Sequence, residues 1–150
     1  MEGTMRTSEA AAPPEAVFAV ATDLESYPEW ADGVTRVEVL ERDESGLPRR
    51  ARFEVDGFVR QISYELEYHY DPPHRITWTA IPGDDIRDME GSYEFTAKAD
   101  GMTEIVYALR VDPAFTVPGF LRRQAERQIV QAAIRNLRRR AEAMQGDSTG

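Results

Sequence analysis

Tyr64, Trp78, Tyr93 and Tyr107 occupy alternating positions in strand-like runs, and Asn136 interrupts an otherwise apolar helical stripe. Aromatic faces hold planar or greasy molecules, while a phenol or an amide adds a hydrogen-bonding handle at the edge of such a surface. The chemistry these five residues offer is therefore non-covalent recognition of a hydrophobic small molecule in an internal cavity, and they are the candidate ligand-binding residues. Tyr68 belongs with them as a further cavity-lining candidate. Ordinary core packing is the alternative for each ring, and an internal helix-to-strand hydrogen bond or a solvent-edge position is the alternative for Asn136.

Groups that could move a proton are less well placed. Glu90 shares its side of an alternating run with Asp88 and Ser92, opposite Met89, Gly91 and Tyr93, so it faces outward unless a bulge turns it. His69 lies opposite Tyr68 and Tyr70, and His74 follows the Pro72-Pro73 turn, which makes both surface or turn residues rather than a catalytic pair. Asp84 and Asp85 are adjacent carboxylates without calcium-loop spacing and read as a solvated turn. No catalytic residue is assigned, and neither a metal nor a cofactor is expected. Neither a glycine-rich phosphate fingerprint nor a serine-nucleophile motif is present.

Composition narrows the field further. The 150 residues suit one domain, and 41% hydrophobic with 30% charged residues is a globular balance. The absence of cysteine removes disulfides, thiolate nucleophiles and cysteine-ligated metals, and two separated histidines do not make a metal site. A net charge of −9 argues against nucleic-acid binding. No signal-peptide pattern and no run near the ~18 apolar residues of a membrane span is present, so a cytoplasmic location is the expectation.

The elements that must position these side chains follow from periodicity. An edge strand is expected at residues 6–11, then a helix started by Pro13-Pro14 and running through 15–21, with Phe18 attaching it to the sheet. Asp23 offers an N-cap to a second short turn, which Pro28-Glu29-Trp30 stops or redirects before Gly33. Strands are expected at 34–40, 49–55, 61–70, 75–80, 86–97 and 103–111, with a hairpin signal at Asp56-Gly57. The clearest strand sets Ile62, Tyr64, Leu66, Tyr68 and Tyr70 against polar neighbours.

A last helix at 120–144, about 37 Å long at ~1.5 Å per residue, carries a stripe of Leu121, Ala125, Ile129, Ala132, Ala133, Asn136, Leu137 and Met144. It is the largest element available to cover the sheet. If the small Ala125, Ala132 and Ala133 leave space opposite the strand aromatics, a hydrophobic cavity remains; a tightly packed core would use the same residues. Ligand exchange through such a cavity would move the Trp30-Ala31-Asp32-Gly33 loop, the Pro82-Gly83-Asp84-Asp85 turn and the start of this helix.

Charge is unevenly divided. Between Gly119 and Glu142 seven arginines face two acids, a local +5 that leaves −14 on the remainder. Such a helix keeps its solvated side soluble, or makes a peripheral contact with anionic headgroups or a protein partner. A monomer or a homodimer is expected.

The ordered segments Ala12-Pro13-Pro14-Glu15-Ala16-Val17-Phe18, Asp23-Leu24-Glu25-Ser26-Tyr27-Pro28-Glu29-Trp30, Asp88-Met89-Glu90-Gly91-Ser92-Tyr93-Glu94-Phe95 and Val117-Pro118-Gly119-Phe120 resemble the polyketide cyclase/dehydrase and lipid-transport family. Its members look like START or Bet v 1 helix-grip proteins, the superfamily also called SRPBCC. The resemblance covers residues 4–144 and leaves 1–3 and 145–150 as flexible termini. It implies an α+β helix-grip domain, a curved antiparallel sheet of six or seven strands around a long C-terminal helix, with two short helices near the N-terminus. It also implies an apolar tunnel for a lipid, quinone or aromatic polyketide. The leading expectation is binding or transport of such a molecule without chemistry; the alternative is an aromatase/cyclase folding an acyl-linked substrate in the same cavity.

Overall fold

The computed structural model describes residues 3–56 and 60–148. The chain runs through β1 (Thr4–Ala10), α1 (Pro14–Thr22), a 3-10 turn at Leu24–Ser26 and α2 (Tyr27–Trp30). Then follow β2 (Val34–Arg42), β3 (Pro48–Asp56), β4 (Gln61–Asp71), β5 (Arg75–Ile81), β6 (Ile86–Ala97), β7 (Thr103–Pro113) and α3 (Gly119–Ser148). The seven strands form one antiparallel sheet in the order β1-β7-β6-β5-β4-β3-β2, so β2 to β7 are a continuous meander and the first strand closes beside the last. The architecture is a helix-grip fold, with α3 packed over β1, β7 and α1.

Alternation decides which side of the sheet is filled. In β4, Leu66 and Tyr68 are buried while Glu67 and His69 are exposed; in β5, Ile76 and Trp78 are buried. Registers then set these side chains beside one another: Tyr68 opposite Trp78, Ile76 opposite Tyr93, and Tyr93 opposite Tyr107. Phe18 of α1 meets Phe95 and Tyr70 edge-on, at 6.5 and 6.1 Å between ring centres, and fixes that helix to the sheet as its sequence suggested.

Local expectations are corrected at three points. Asp23 does not cap the following turn with its side chain; its carboxylate accepts a hydrogen bond from Ser26 Oγ at 2.7 Å instead. The helical stretch ends at Trp30, before Gly33 as expected, but Pro28 itself lies in the first turn of α2, where the missing N–H costs nothing. In α3 the line buried against the sheet is Glu126, Val130, Ile134, Leu137 and Ala141, whereas Leu121, Ile129 and Met144 of the expected stripe are each more than 40% exposed. The helix also continues to Ser148, beyond the expected end at Met144. The Asp56-Gly57 hairpin signal falls partly outside the described residues.

Glu126 explains the shift in α3. Its Oε1 accepts from Thr4 Oγ1 at 2.8 Å and its Oε2 from the Val111 amide at 3.0 Å, so a buried carboxylate joins the helix to β1 and β7. A charge out of water is tolerated only when hydrogen-bonded in this way.

Candidate functional site

Ala132 and Ala133 of α3 leave open space opposite the sheet aromatics, whereas Ala125, expected with them, does not border it. A cavity of about 590 Å³ lies between the sheet and α3, with Ala132, Ala133 and Asn136 on the helix side and Tyr64, Tyr68, Trp78, Tyr93 and Tyr107 on the sheet side. The volume falls within the ~300–1,000 Å³ of ordinary small-molecule pockets. All five candidate residues border this one cavity. Sequence reasoning missed Tyr27, Trp30 and Phe53, which border it as well. Their signal was weak because Tyr27 and Trp30 come from a four-residue helix whose direction no periodicity reveals.

The rings of the wall pack in two groups, one around Trp78 and one around Phe53. Trp78 lies 5.5 Å from Tyr93 and 5.7 Å from Tyr107 between ring centres, and Tyr93 lies 4.5 Å from Tyr107. Phe53 stacks on Tyr64 at 5.5 Å. Tilted and edge-on pairs of this kind add about 0.5–1.5 kcal/mol each beyond area burial, which holds the wall in one arrangement before any guest arrives.

Polar character on this wall is sparse and specific. Among the described residues the hydroxyls of Tyr64, Tyr68, Tyr93 and Tyr107 have no hydrogen-bond partner. Burial pushes all four phenols above their usual ionisation range, with neighbouring tyrosines adding to the rise at Tyr68, Tyr93 and Tyr107. They are neutral donors, not bases. Tyr27 differs, because its hydroxyl is already committed to the Ala21 carbonyl.

Asn136 takes neither of its two bland alternatives. It is 9% exposed, and its Nδ2 is buried without a hydrogen-bond partner among the described residues. An unpaired buried donor costs about 1–3 kcal/mol, a penalty that a bound acceptor would remove.

The cavity reaches solvent where exposed Asp32, Gly33, Asp56 and Gln131 border it, between α3 and the loop entering β2. Gly33 has φ of +84°, a left-handed conformation that L side chains rarely adopt, and its carbonyl accepts from the Asp56 amide at 2.8 Å. Across this mouth Arg135 pairs with Asp32 at 3.8 Å, and farther along α3 Arg140 pairs with Glu29 of α2 at 3.9 Å. Both are solvent-exposed pairs of low intrinsic strength.

The remaining acid–base candidates stand away from the cavity. Glu90 is exposed and bound to Arg110 at 2.9 Å, His69 points outward, and His74 Nδ1 meets the Phe95 carbonyl at 3.1 Å. Asp85 is tied to the Ser63 amide at 2.8 Å and to Arg60, which hold its carboxyl below the usual range. The Pro82 to Asp85 turn borders no part of the cavity, unlike the Trp30 to Gly33 loop.

A family model for polyketide cyclase/dehydrase and lipid transport matches residues 3–142. The chain belongs to this family. No curated protein matches it. Among solved structures, a START superfamily protein from Mycobacterium smegmatis is similar at 21% identity and a TM-score of 0.86, covering 95% of this chain and 98% of that one. A protein from Thermus thermophilus is similar at 23% identity and a TM-score of 0.81, covering 95% and 99%. The Zhui aromatase/cyclase from a Streptomyces species is similar at 18% identity and a TM-score of 0.79, covering 94% and 93%. These likenesses establish the shared fold. For this member of the polyketide cyclase/dehydrase and lipid transport family, the site's own geometry is that of a preformed apolar chamber with few polar groups, suited to a hydrophobic small molecule.

Proposed function

We propose that the protein binds and carries a hydrophobic small molecule, with a ring or other planar portion against Trp78, Tyr64, Tyr93 and Tyr107 and a carbonyl or hydroxyl oxygen on Asn136. The observation that carries the reading is the buried, unpartnered amide nitrogen of Asn136 beside an aromatic cavity. The phenols supply further neutral donors to the same guest. A carrier without chemistry is favoured because Glu90, His69 and His74 all stand outside the cavity wall.

The test is native mass spectrometry with extraction of copurified material. A defined hydrophobic adduct that is lost in Trp78→Ala and Asn136→Asp supports the assignment. Empty protein from several expression hosts, with no binding of added phenolic or quinone ligands, overturns it.

A second reading is supported by the fold shared with an aromatase/cyclase: an acyl-linked polyketide would fold in the same cavity, with a neutral phenol donating to a carbonyl. Multiple turnovers on poly-β-keto substrates would favour it, and binding without product would favour the carrier.

A further inference from the structure

A second chamber of about 350 Å³ lies under the segment that links β7 to α3, walled by Pro113, Phe115, Val117, Leu121 and Ala125. Ile62, Ile86, Val111, Gln128 and Ile129 border both chambers, so the two adjoin at those five residues. Leu121 and Ile129, both exposed on α3, border this partly open space.

The chambers differ in chemistry. The main one holds four phenols without partners and the Asn136 amide. The second offers apolar side chains, and its charged groups are already engaged. Glu126 accepts from Thr4 and Val111, Arg122 donates to the Val111 carbonyl at 3.3 Å, and Arg60 pairs with Asp85 and lies over the Phe115 ring at 4.7 Å. A donor-bearing aromatic compartment beside an apolar one matches a molecule with a polar ring at one end and an aliphatic chain at the other.

We propose that the second chamber is a tail subsite, and that the ligand is an elongated amphiphile whose aliphatic chain passes the Ile62, Ile86 and Val111 ring into the space beneath Phe115 and Leu121. This rests on the reading of the main cavity given above and specifies its ligand class. Each methylene entering an apolar site tightens binding about threefold to fourfold. Affinity therefore climbs with chain length until the chamber is full.

Calorimetric titration of the intact protein with para-cresol, para-butylphenol and para-octylphenol tests this. The wild type is expected to bind the octyl compound about a hundredfold more tightly than the butyl compound, on the same per-methylene scale. Ala125→Phe and, from the opposite wall, Val117→Phe fill the chamber; each abolishes the octyl gain and leaves para-cresol binding unchanged. A gain equal in wild type and both variants, or no gain in the wild type, overturns the tail subsite while leaving the main cavity standing. Failure of para-cresol itself to bind overturns the main-cavity reading and the subsite with it. Independently of any variant, a diazirine at the tip of the octyl chain is expected to label residues 113–125. Labelling confined to residues 30–34 or to β5 and β6 overturns the proposal.

Discussion

Gly91 of β6 lies directly across from Trp78 of β5, and the indole fills the space a side chain at Gly91 would occupy: a Cβ built there would stand 2.2 Å from Trp78 Cε2. The position of this indole in the cavity wall thus depends on a hydrogen atom on the neighbouring strand. Gly91→Ala must push the indole towards the cavity or bend the sheet. The expected cost is about 1–3 kcal/mol, the usual range for overpacking, read as a lower urea midpoint. Ligand affinity falls with it, and an unchanged midpoint together with unchanged tryptophan emission would contradict the close approach.

The chain has six tyrosines, and burial raises the ionisation range of every one, Tyr27 and Tyr70 included. In the unfolded chain a phenol ionises near its ordinary value of about 10. Above that pH the unfolded state has lost protons that the native state retains, so it binds fewer and stability falls as pH rises. The stability these groups contribute is complete below about pH 10 and is lost as pH climbs towards the higher native values. Alkaline titration followed in parallel by tyrosinate absorbance and circular dichroism should show both changes together. Ionisation of several tyrosines near pH 10 in a still-folded protein would refute the burial described.

Asn136→Leu separates stability from binding. Removing an amide nitrogen without a partner and filling its place with apolar atoms is expected to raise stability by about 1 kcal/mol. It also deletes the polar anchor, so a phenolic or quinone ligand should bind at least about tenfold more weakly, in keeping with loss of one hydrogen bond. Thermal melting and calorimetry on the same sample provide the check, and a destabilised variant with intact affinity would remove Asn136 from the site.

Glu126→Ala leaves the Val111 amide and the Thr4 hydroxyl without their acceptor. The expected loss is about 1–3 kcal/mol, concentrated at the β1–β7 pairing. Hydrogen exchange of amides in residues 4–10 should quicken more than exchange in β4 or β5. Uniform acceleration across the sheet would show that the carboxylate has no such local role.

The inward faces of the strands were legible because the pleat repeats every two residues, so Tyr64, Tyr68, Trp78, Tyr93 and Tyr107 declare their side by parity alone. Parity does not reveal which residue lies across the ladder, and the Trp78–Gly91 relationship depends on that register. In α3 the hydropathy stripe traced the cavity-facing line through Ala125, Ile129, Ala132 and Asn136, and met the sheet-contacting line only at Leu137. The true contact line begins with a glutamate, whose burial makes sense only once Thr4, 122 positions away in sequence, is beside it. Long-range hydrogen bonding leaves no mark in local hydropathy, and for the same reason Asn136 could be singled out as an irregularity without its lack of a partner being visible.

Finally, the sheet is open, and β2 forms one margin with no strand beyond it among the described residues. Its pairing with β3 shifts register between Val34 and Arg36 and again between Val39 and Arg42, and it carries Arg36, Glu38, Glu41 and Arg42 as exposed charges. Kinks and alternating charge make a poor template for a strand from another molecule. The β2 margin can therefore stay unpaired, and the sheet unsealed on that side, without offering a flat edge for fibril-like pairing.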